Sequence, residues 1–374
     1  MILRFKDRTF EFSVDAPPSK SVFHRELIVR FLKGYEDDLE VSSEDSKDIA
    51  ATKNCLRALR DGGSVLDCNE SGSTLRFMIP VAAAWVKAQG VDRKITFKTA
   101  GRLYDRPLDD LENCLKDRGV SLVRDDSERT ISLKGTLTEG EFVIDGSVSS
   151  QYVSGIMMAL IVLPDSSIKV TGEPSSVHYI ELTKSVIDKY ENGKHEDFRV
   201  EGDWSGGAFL LCLKELIKGG ITVGNLDDDS VQGDKAIVDF LKAVGVDELT
   251  WDCRDIPDIV PYMAMVAAFR NKVTVFNNIG RLRVKESDRV MAVRQQLAQA
   301  GIKTEETEET LTVFGNNKTF DEDMITLKSY NDHRMVMSAM LIAAALGVDL
   351  EIDSIDPVDK SFPGLKELIR EEFS

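Results

Sequence analysis

The sequence predicts an α/β protein of two domains, each built from three repeated β-α-β-α-β-β units with buried helices and outer sheets, an inside-out α/β barrel. Three observations predict it. The chain has 374 residues, 42% of them hydrophobic, which exceeds one ordinary core and suggests about two domains. Helices of two kinds alternate along it, separated by strand-like segments. The pattern returns roughly every sixty residues, giving about six units in two groups of three.

The first kind of helix is amphipathic, ends near a glycine and leads into an alternating strand pair. Asp109–Gly119 (DDLENCLKDRG) runs into VSLVRDDSERTISLKG, and Ser287–Gly301 (SDRVMAVRQQLAQAG) into IKTEETEETLTVFG. In the latter helix Val290, Val293 and Leu297 share one face at the helical period. Polar turns such as DDSER and TEE break the tails into hairpins. Residues 235–245 and 48–62 read as further copies, although the stretch after Arg60 is too short for a full strand pair, so the first repeat is expected to be incomplete. The second kind of helix is apolar nearly all round and therefore buried: Leu75–Trp85, Tyr152–Leu163, Ala208–Ile217, Val260–Phe269 and Met335–Leu346.

These buried helices share a polar start: NESGST, GSVSSQ, GDWSGG and YNDHR, with PPSKS of the same design before Val22. Helix N-termini expose free N–H groups and the positive dipole end, so several together make an anion site. Ser, Asp and Asn there also serve as N-caps. Cations gather at the same places. Lys20 and Arg25 follow PPSKS, Arg76 follows SGST, and Arg102 and Arg106 lie in GRLYDRP. Lys285 and Arg289 stand four apart in RVKESDR, Arg334 is in NDHR and Lys360 in DKSFPG. Arginine offers a planar fork for phosphate and carboxylate, lysine a compact point charge. Two carboxylates accompany them: Asp258 in DIPD and Glu286 inside the KESDR cluster, each able to act as acid or base.

The totals exclude several classes. A formal net charge of −17 argues against nonspecific binding to nucleic acid or anionic membranes, yet leaves room for a local cationic pocket. Five cysteines without a CxxC pair fit reduced thiols in the cytoplasm. The N-terminal MILRFKDRTFEFSV alternates like a strand and lacks an apolar signal core. Four scattered histidines show no ligand spacing, so no metal is expected, and neither GxxxxGK[ST] nor GxGxxG is present. No cofactor is expected.

PSKSVFHR, SGSTLR, RLYDRP, DGSVSSQY, GDWS, IPD, RVKESDR, YNDHRM and DKSFPG occur in this order along essentially the whole chain. This series resembles the 5-enolpyruvylshikimate-3-phosphate synthase (3-phosphoshikimate 1-carboxyvinyltransferase) family. The resemblance implies a shikimate-pathway transferase that joins the enolpyruvyl group of phosphoenolpyruvate to the 5-hydroxyl of shikimate 3-phosphate and releases phosphate. It implies that Lys20, Ser21 and Arg25 hold shikimate 3-phosphate, with Ser149, Ser150, Gln151, Ser176 and Tyr179 around its phosphate and ring. Asp258 and Lys285 complete that site. Lys20, Gly72, Arg106 and Gln151 would contact phosphoenolpyruvate, together with Arg289, Arg334 and Lys360; Gly72 lets the phosphate approach the backbone. Asp258 resembles the acceptor of the 5-hydroxyl proton, Glu286 the donor to the enol methylene, and Lys20 shares the proton handling. Arg102 and His333 match positions that line the site.

The resemblance also implies two domains that close over both substrates, with breaks near Pro17–Ser19 and Gly202–Trp204: residues 1–18 with 204–374, and residues 19–203. A monomer acting on two small molecules is expected. Glu70 stands where the family usually carries Asn, and Phe77 where Pro or an aliphatic is common; an acid at Glu70 is expected to weaken phosphoenolpyruvate binding. Two other readings compete. An enolpyruvyl transferase acting on UDP-N-acetylglucosamine shares the architecture but uses a loop cysteine, which no cysteine here matches. A binding module without turnover would have no use for Asp258, Glu286 and Lys20 together.

Overall fold

The computed structural model describes every residue except 36–38, 44, 174–175, 192–199, 316–319 and 363; Pro363 of the DKSFPG stretch thus lies outside the described residues. The chain divides into two compact units, one of Met1–Ser19 with Glu201–Ser374 and one of Lys20–Val200. Each has its own hydrophobic core.

Strands β1 (Ile2–Leu3) and β2 (Phe10–Asp15) open the first unit. The second unit holds α1 (Lys20–Leu32), α2 (Lys47–Arg60), β3 (Val65–Asp67), α3 (Gly72–Ala88), β4 (Thr96–Lys98) and α4 (Asp109–Lys116). It continues with β5 (Val120–Asp125), β6 (Thr130–Gly135), β7 (Glu141–Asp145), α5 (Ser150–Ala159), β8 (Ser167–Thr171) and α6 (Val177–Glu191). The first unit resumes with α7 (Trp204–Leu216), β9 (Gly219–Gly224), α8 (Ile237–Ala243), β10 (Glu248–Asp252), α9 (Val260–Arg270) and β11 (Val273–Asn277). It ends with α10 (Arg289–Gln299), β12 (Lys303–Glu306), β13 (Thr310–Phe314), β14 (Met324–Leu327), α11 (His333–Leu346), β15 (Asp349–Ile352) and α12 (Leu365–Glu372).

One arrangement recurs. A buried helix runs between, or leads into, a pair of parallel strands: α3 between β3 and β4, α5 between β7 and β8, α9 between β10 and β11, and α11 between β14 and β15. Helix α7 leads into β9, which pairs in parallel with β2. These are the five helices expected to be apolar all round, and the structure buries each of them; in α11 every residue from His333 to Ala344 is buried. Two of the five pairs also carry an antiparallel hairpin, giving sheets of the same order, β3-β4-β6-β5 and β10-β11-β13-β12. The helices before these hairpins are amphipathic: α4 buries Leu111, Cys114 and Leu115, and α10 buries Val290, Val293 and Leu297.

The stretch after Arg60 holds no hairpin, as its length led us to expect, but neither does the stretch after residues 235–245, which corrects the expectation of a strand pair there. Among the described residues the hairpin occurs twice, and β1 alone pairs antiparallel with β15. Only residues 61–64 separate α2 from β3, and only 244–247 separate α8 from β10. A hairpin needs two strands and a turn, which so short a connection cannot hold. The described sheets stay open, and none closes into a barrel.

Helices α3 and α5 meet at a glycine. Pro80 inside α3 has no N–H to give the carbonyl of Arg76, and that carbonyl faces Gly155 of α5. A Cβ at Gly155 would lie 2.8 Å from Arg76 O, 3.0 Å from Pro80 Cγ and 3.3 Å from Phe77 Cα. Backbone cannot yield as a side-chain tip can. We therefore expect Gly155→Val to destabilise the protein by about 1–3 kcal/mol through overpacking, read as a lower denaturant midpoint; an unchanged midpoint contradicts this packing.

Candidate functional site

In the first unit the chain places a compact ionic cluster at the starts of α9, α10 and α11. Asp332 is fully buried and caps α11, accepting from Arg334 N at 2.9 Å. It also accepts from Ser287 Oγ at 2.9 Å and from Arg289 Nε at 2.9 Å. The N-cap that helix chemistry requires therefore also anchors a neighbouring arginine. Arg289, itself 1% exposed, donates from Nη1 to Asp258 Oδ1 at 2.7 Å and from Nη2 to Glu286 Oε2 at 3.0 Å and Asp332 Oδ1 at 3.3 Å. Lys285 Nζ reaches Asp258 Oδ1 at 3.2 Å. His333 is buried, with Nδ1 3.2 Å from Glu286 Oε2 but outside hydrogen-bond geometry.

Electrostatics follow from this packing. Burial pushes the Asp258 carboxyl up, but Lys285, Arg289 and Arg334 outweigh it and hold the group well below the ordinary carboxylate range. Burial likewise disfavours the Arg289 cation, yet Asp332, Glu286 and Asp258 hold it protonated far above neutrality. Burial lowers the His333 pKa, against the pull of Glu286, so the ring stays neutral at pH 7. Glu286, Asp332 and His333 each offer a ligand atom within 4.8 Å of the others. Arg289 already occupies both carboxylates, so this trio reads as part of an ion-pair network. Lys360, in the short helical turn Asp356–Lys360, donates to Asn331 O at 3.0 Å, next to the start of α11.

Arg334 differs from Arg289. Its Nη1 donates to Ser205 O at 3.3 Å and to Tyr262 Oη at 3.0 Å, and its Nη2 to Ser205 Oγ. The Tyr262 hydroxyl in turn lies 2.8 Å from Met337 Sδ. No carboxylate is within ion-pair distance of Arg334 among the described residues.

The second unit carries two groups of the expected residues. At the start of α1, Lys20 Nζ pairs with Asp48 Oδ2 at 2.9 Å. Arg25, one turn on, is 2% exposed. It donates to Ser21 O at 2.7 Å, Thr183 Oγ1 at 2.7 Å, Ser154 Oγ at 3.2 Å and Tyr179 O at 3.1 Å. The rings of Phe77 and Tyr179 lie 5.1 and 5.7 Å from its guanidinium carbon, so the unusual Phe77 supplies an aromatic face for the cation. All these partners are neutral, and burial pulls the Arg25 pKa down to about 10. Ser176 is fully buried with a left-handed φ of 53°, three residues before Tyr179.

The other group surrounds the start of α3. Ser71 caps that helix through Thr74 N at 3.2 Å. Gly72 follows, and a Cβ there would lie 2.3 Å from Arg106 Nη1 and 3.0 Å from Arg76 Nη1. Two guanidinium groups thus rest against a helix N-terminus, a ready site for an anion. Arg76 Nη1 donates to Gln151 Oε1 at 3.0 Å, and Gln151 Nε2 to Ser73 Oγ at 2.9 Å. Ser150 is buried and Ser149, at the start of α5, is half-buried. Glu70 folds over Gly101, where a Cβ would meet its Oε1 at 2.5 Å. Arg102 is exposed.

Sequence reasoning missed Asp48, Thr183, Ser154, Asp332, Ser205 and Tyr262. Asp332 was visible as the N-cap within NDHR; the others sit on elements whose pairing no local pattern reveals.

The family model for EPSP synthase (3-phosphoshikimate 1-carboxyvinyltransferase) matches residues 38–253 and 249–369. A 3-phosphoshikimate 1-carboxyvinyltransferase of Clostridium kluyveri is 32% identical over 96% of this chain and 94% of its own length. The chain belongs to the EPSP synthase family. In fold it is similar to the EPSP synthase of Acinetobacter baumannii, with a TM-score of 0.68 at 18% identity over 100% of this chain and 98% of that one. It is also similar to the enolpyruvyl transferase NikO of Streptomyces tendae, with a TM-score of 0.69 at 12% identity over 100% and 97% of the two chains.

Asp332 joins a helix cap to a buried ion pair with Arg289. Asp332→Ala should cost about 3–5 kcal/mol, because it strands a buried cation; denaturant unfolding that shows a loss below about 1 kcal/mol would refute the pairing.

Proposed function

We propose that this chain transfers the enolpyruvyl group of phosphoenolpyruvate to the 5-hydroxyl of shikimate 3-phosphate, releasing phosphate in the shikimate pathway. One observation carries the assignment of charges. Among the arginines assigned to substrates, Arg25 and Arg334 are buried yet contact only neutral groups. Their charge is left for an anion, whereas Arg289 already binds three carboxylates. A buried cation without a direct counterion is costly unless a ligand supplies one.

In this reading Arg25, with Lys20, Ser21 and Tyr179, holds shikimate 3-phosphate, and Ser149, Ser150, Gln151 and Ser176 surround its phosphate. Arg334, Lys360 and the Gly72–Arg106 helix end hold phosphoenolpyruvate. Arg289 uses four of its five N–H groups on carboxylates, leaving one on Nη1 for the substrate. Asp258, kept ionised by its cations, accepts the 5-hydroxyl proton as the oxygen attacks C2. Glu286 delivers a proton to C3, giving a tetrahedral intermediate. The C2–O bond to phosphate then breaks, the proton taken up by Asp258 leaves with the phosphate, C3 returns its proton to Glu286, and the double bond re-forms. Fixed cations offset the repulsion among the substrate phosphates and carboxylates.

The finer architecture, three sectors of buried helices sheathed by sheets in each unit, is part of the same reading. Five buried free cysteines suit a reducing compartment, the cytoplasm. Their burial also disfavours a UDP-N-acetylglucosamine transferase, whose loop cysteine must be reachable; fosfomycin should therefore leave activity intact. No helix of the described residues is long and apolar enough to cross a membrane.

Phosphate release should require both substrates together. Asp258→Asn and Glu286→Gln should each lower it by about two to four orders of magnitude. Release from phosphoenolpyruvate alone, or variants as fast as the parent, would contradict the assignment.

A further inference from the structure

Arg106 sits on a loop, and the loop is held from outside. Residues 99–106 follow β4 and belong to no strand. Gly101 takes a left-handed φ of 55°, Leu103–Asp105 form one short helical turn, and Arg106 N donates to Leu103 O at 3.2 Å. A side chain on such a loop is no better fixed than the backbone beneath it.

The tip of the β5–β6 hairpin, the polar turn DDSER, supplies the grip. Asp125 and Thr130 pair across it. Asp125 Oδ1 accepts from Ser127 Oγ at 2.7 Å, Ser127 N at 3.0 Å and Glu128 N at 3.1 Å, which fixes the shape of the turn. Arg129 then reaches the loop. The Nη2 nitrogen has two N–H groups to give. It donates to Gly101 O at 2.8 Å and to Asp105 Oδ2 at 2.9 Å, at the two ends of the stretch that leads into Arg106. Arg129 O accepts from Thr99 Oγ1 at 2.7 Å. Between these points Arg124 Nη1 donates to Tyr104 O at 2.6 Å, and Tyr104 Oη donates to Asp126 Oδ1 at 2.6 Å. The guanidinium carbons of Arg124 and Arg129 lie 5.4 and 5.0 Å from the Tyr104 ring centre.

We propose that Arg129 is a positioning residue for Arg106: it fixes the turn that holds the Arg106 guanidinium against the start of α3, and thereby sets the affinity for phosphoenolpyruvate. The inference rests on the functional reading given above, which puts the phosphoenolpyruvate anion at that helix end. The side chains of Arg129 and Asp105 are 42% and 64% exposed, and ion pairs this exposed do little for folding. The effect of Arg129 belongs in binding.

Arg129→Ala tests this, and Ala carries the same Cβ into the left-handed φ of 50° at this position, so the turn is no more strained than before. The KM for phosphoenolpyruvate should rise about tenfold, the scale of one charged hydrogen bond lost. The kcat at saturation and the KM for shikimate 3-phosphate should stay within about twofold, since only ground-state binding of one substrate is weakened. The denaturant midpoint should hold. Arg106→Ala should itself raise the KM for phosphoenolpyruvate, and adding Arg129→Ala to it should raise that KM by less than about twofold more, because the two act as one unit. Should Arg129→Ala fail to fold, Asp105→Ala carries the test by raising the same KM about threefold, through loss of part of the same grip. An unchanged KM for phosphoenolpyruvate in whichever variant folds, equal rises for both substrates, or full additivity with Arg106→Ala overturns the inference alone. An Arg106→Ala enzyme with an unchanged KM for phosphoenolpyruvate, or wild-type protein that releases no phosphate, overturns the functional reading instead, and this inference with it.

Discussion

The first unit's site depends on one buried guanidinium. Arg289 is almost inaccessible and is bound by Asp258, Glu286 and Asp332. Those carboxylates come from three separate stretches of chain, ahead of α9, ahead of α10 and at the start of α11. Moving four charges out of water is costly, and attraction in the interior offsets that cost only with good geometry. The planar fork of arginine supplies the geometry; a lysine would not. The result is a cluster in which the acid and base of the proposed reaction are fixed by the same residue, close enough to share its field.

This arrangement alters the picture of a bare cationic pocket. Lys285, Arg289 and Arg334 are matched by Asp258, Glu286 and Asp332, so the cluster is close to neutral before any substrate enters. Discrimination then comes from which cations are already satisfied. Arg289 gives four of its five N–H groups to carboxylates, while Arg334 and Arg25 lean on hydroxyls, carbonyls and aromatic rings. Neutral partners hold an arginine in place without consuming its charge, which leaves an incoming phosphate or carboxylate as the best available counterion.

Much of this was legible in the sequence. The five apolar helices declared themselves by composition, and three of them start at a polar N-cap. Ser71, Asp203 and Asp332 cap α3, α7 and α11 as such residues should. Repetition was legible where a hairpin follows the amphipathic helix, at α4 and α10. It misled at residues 235–245, because helix periodicity says nothing about how little chain remains before the next strand. Ser205 and Tyr262 were not legible at all. They look like a helix-start serine and a core tyrosine, and acquire meaning only because Arg334, some seventy to one hundred and thirty residues away, packs against both.

The claim that one guanidinium holds the acid and base in register is tested most directly by the turnover of Arg289→Lys with both substrates saturating. The charge is retained but the fork is lost, so the carboxylates shift by an ångström or so. The account predicts a folded enzyme whose kcat falls by about a hundredfold or more. A folded variant that turns over within about threefold of the parent, a barrier change under about 1 kcal/mol, would contradict it.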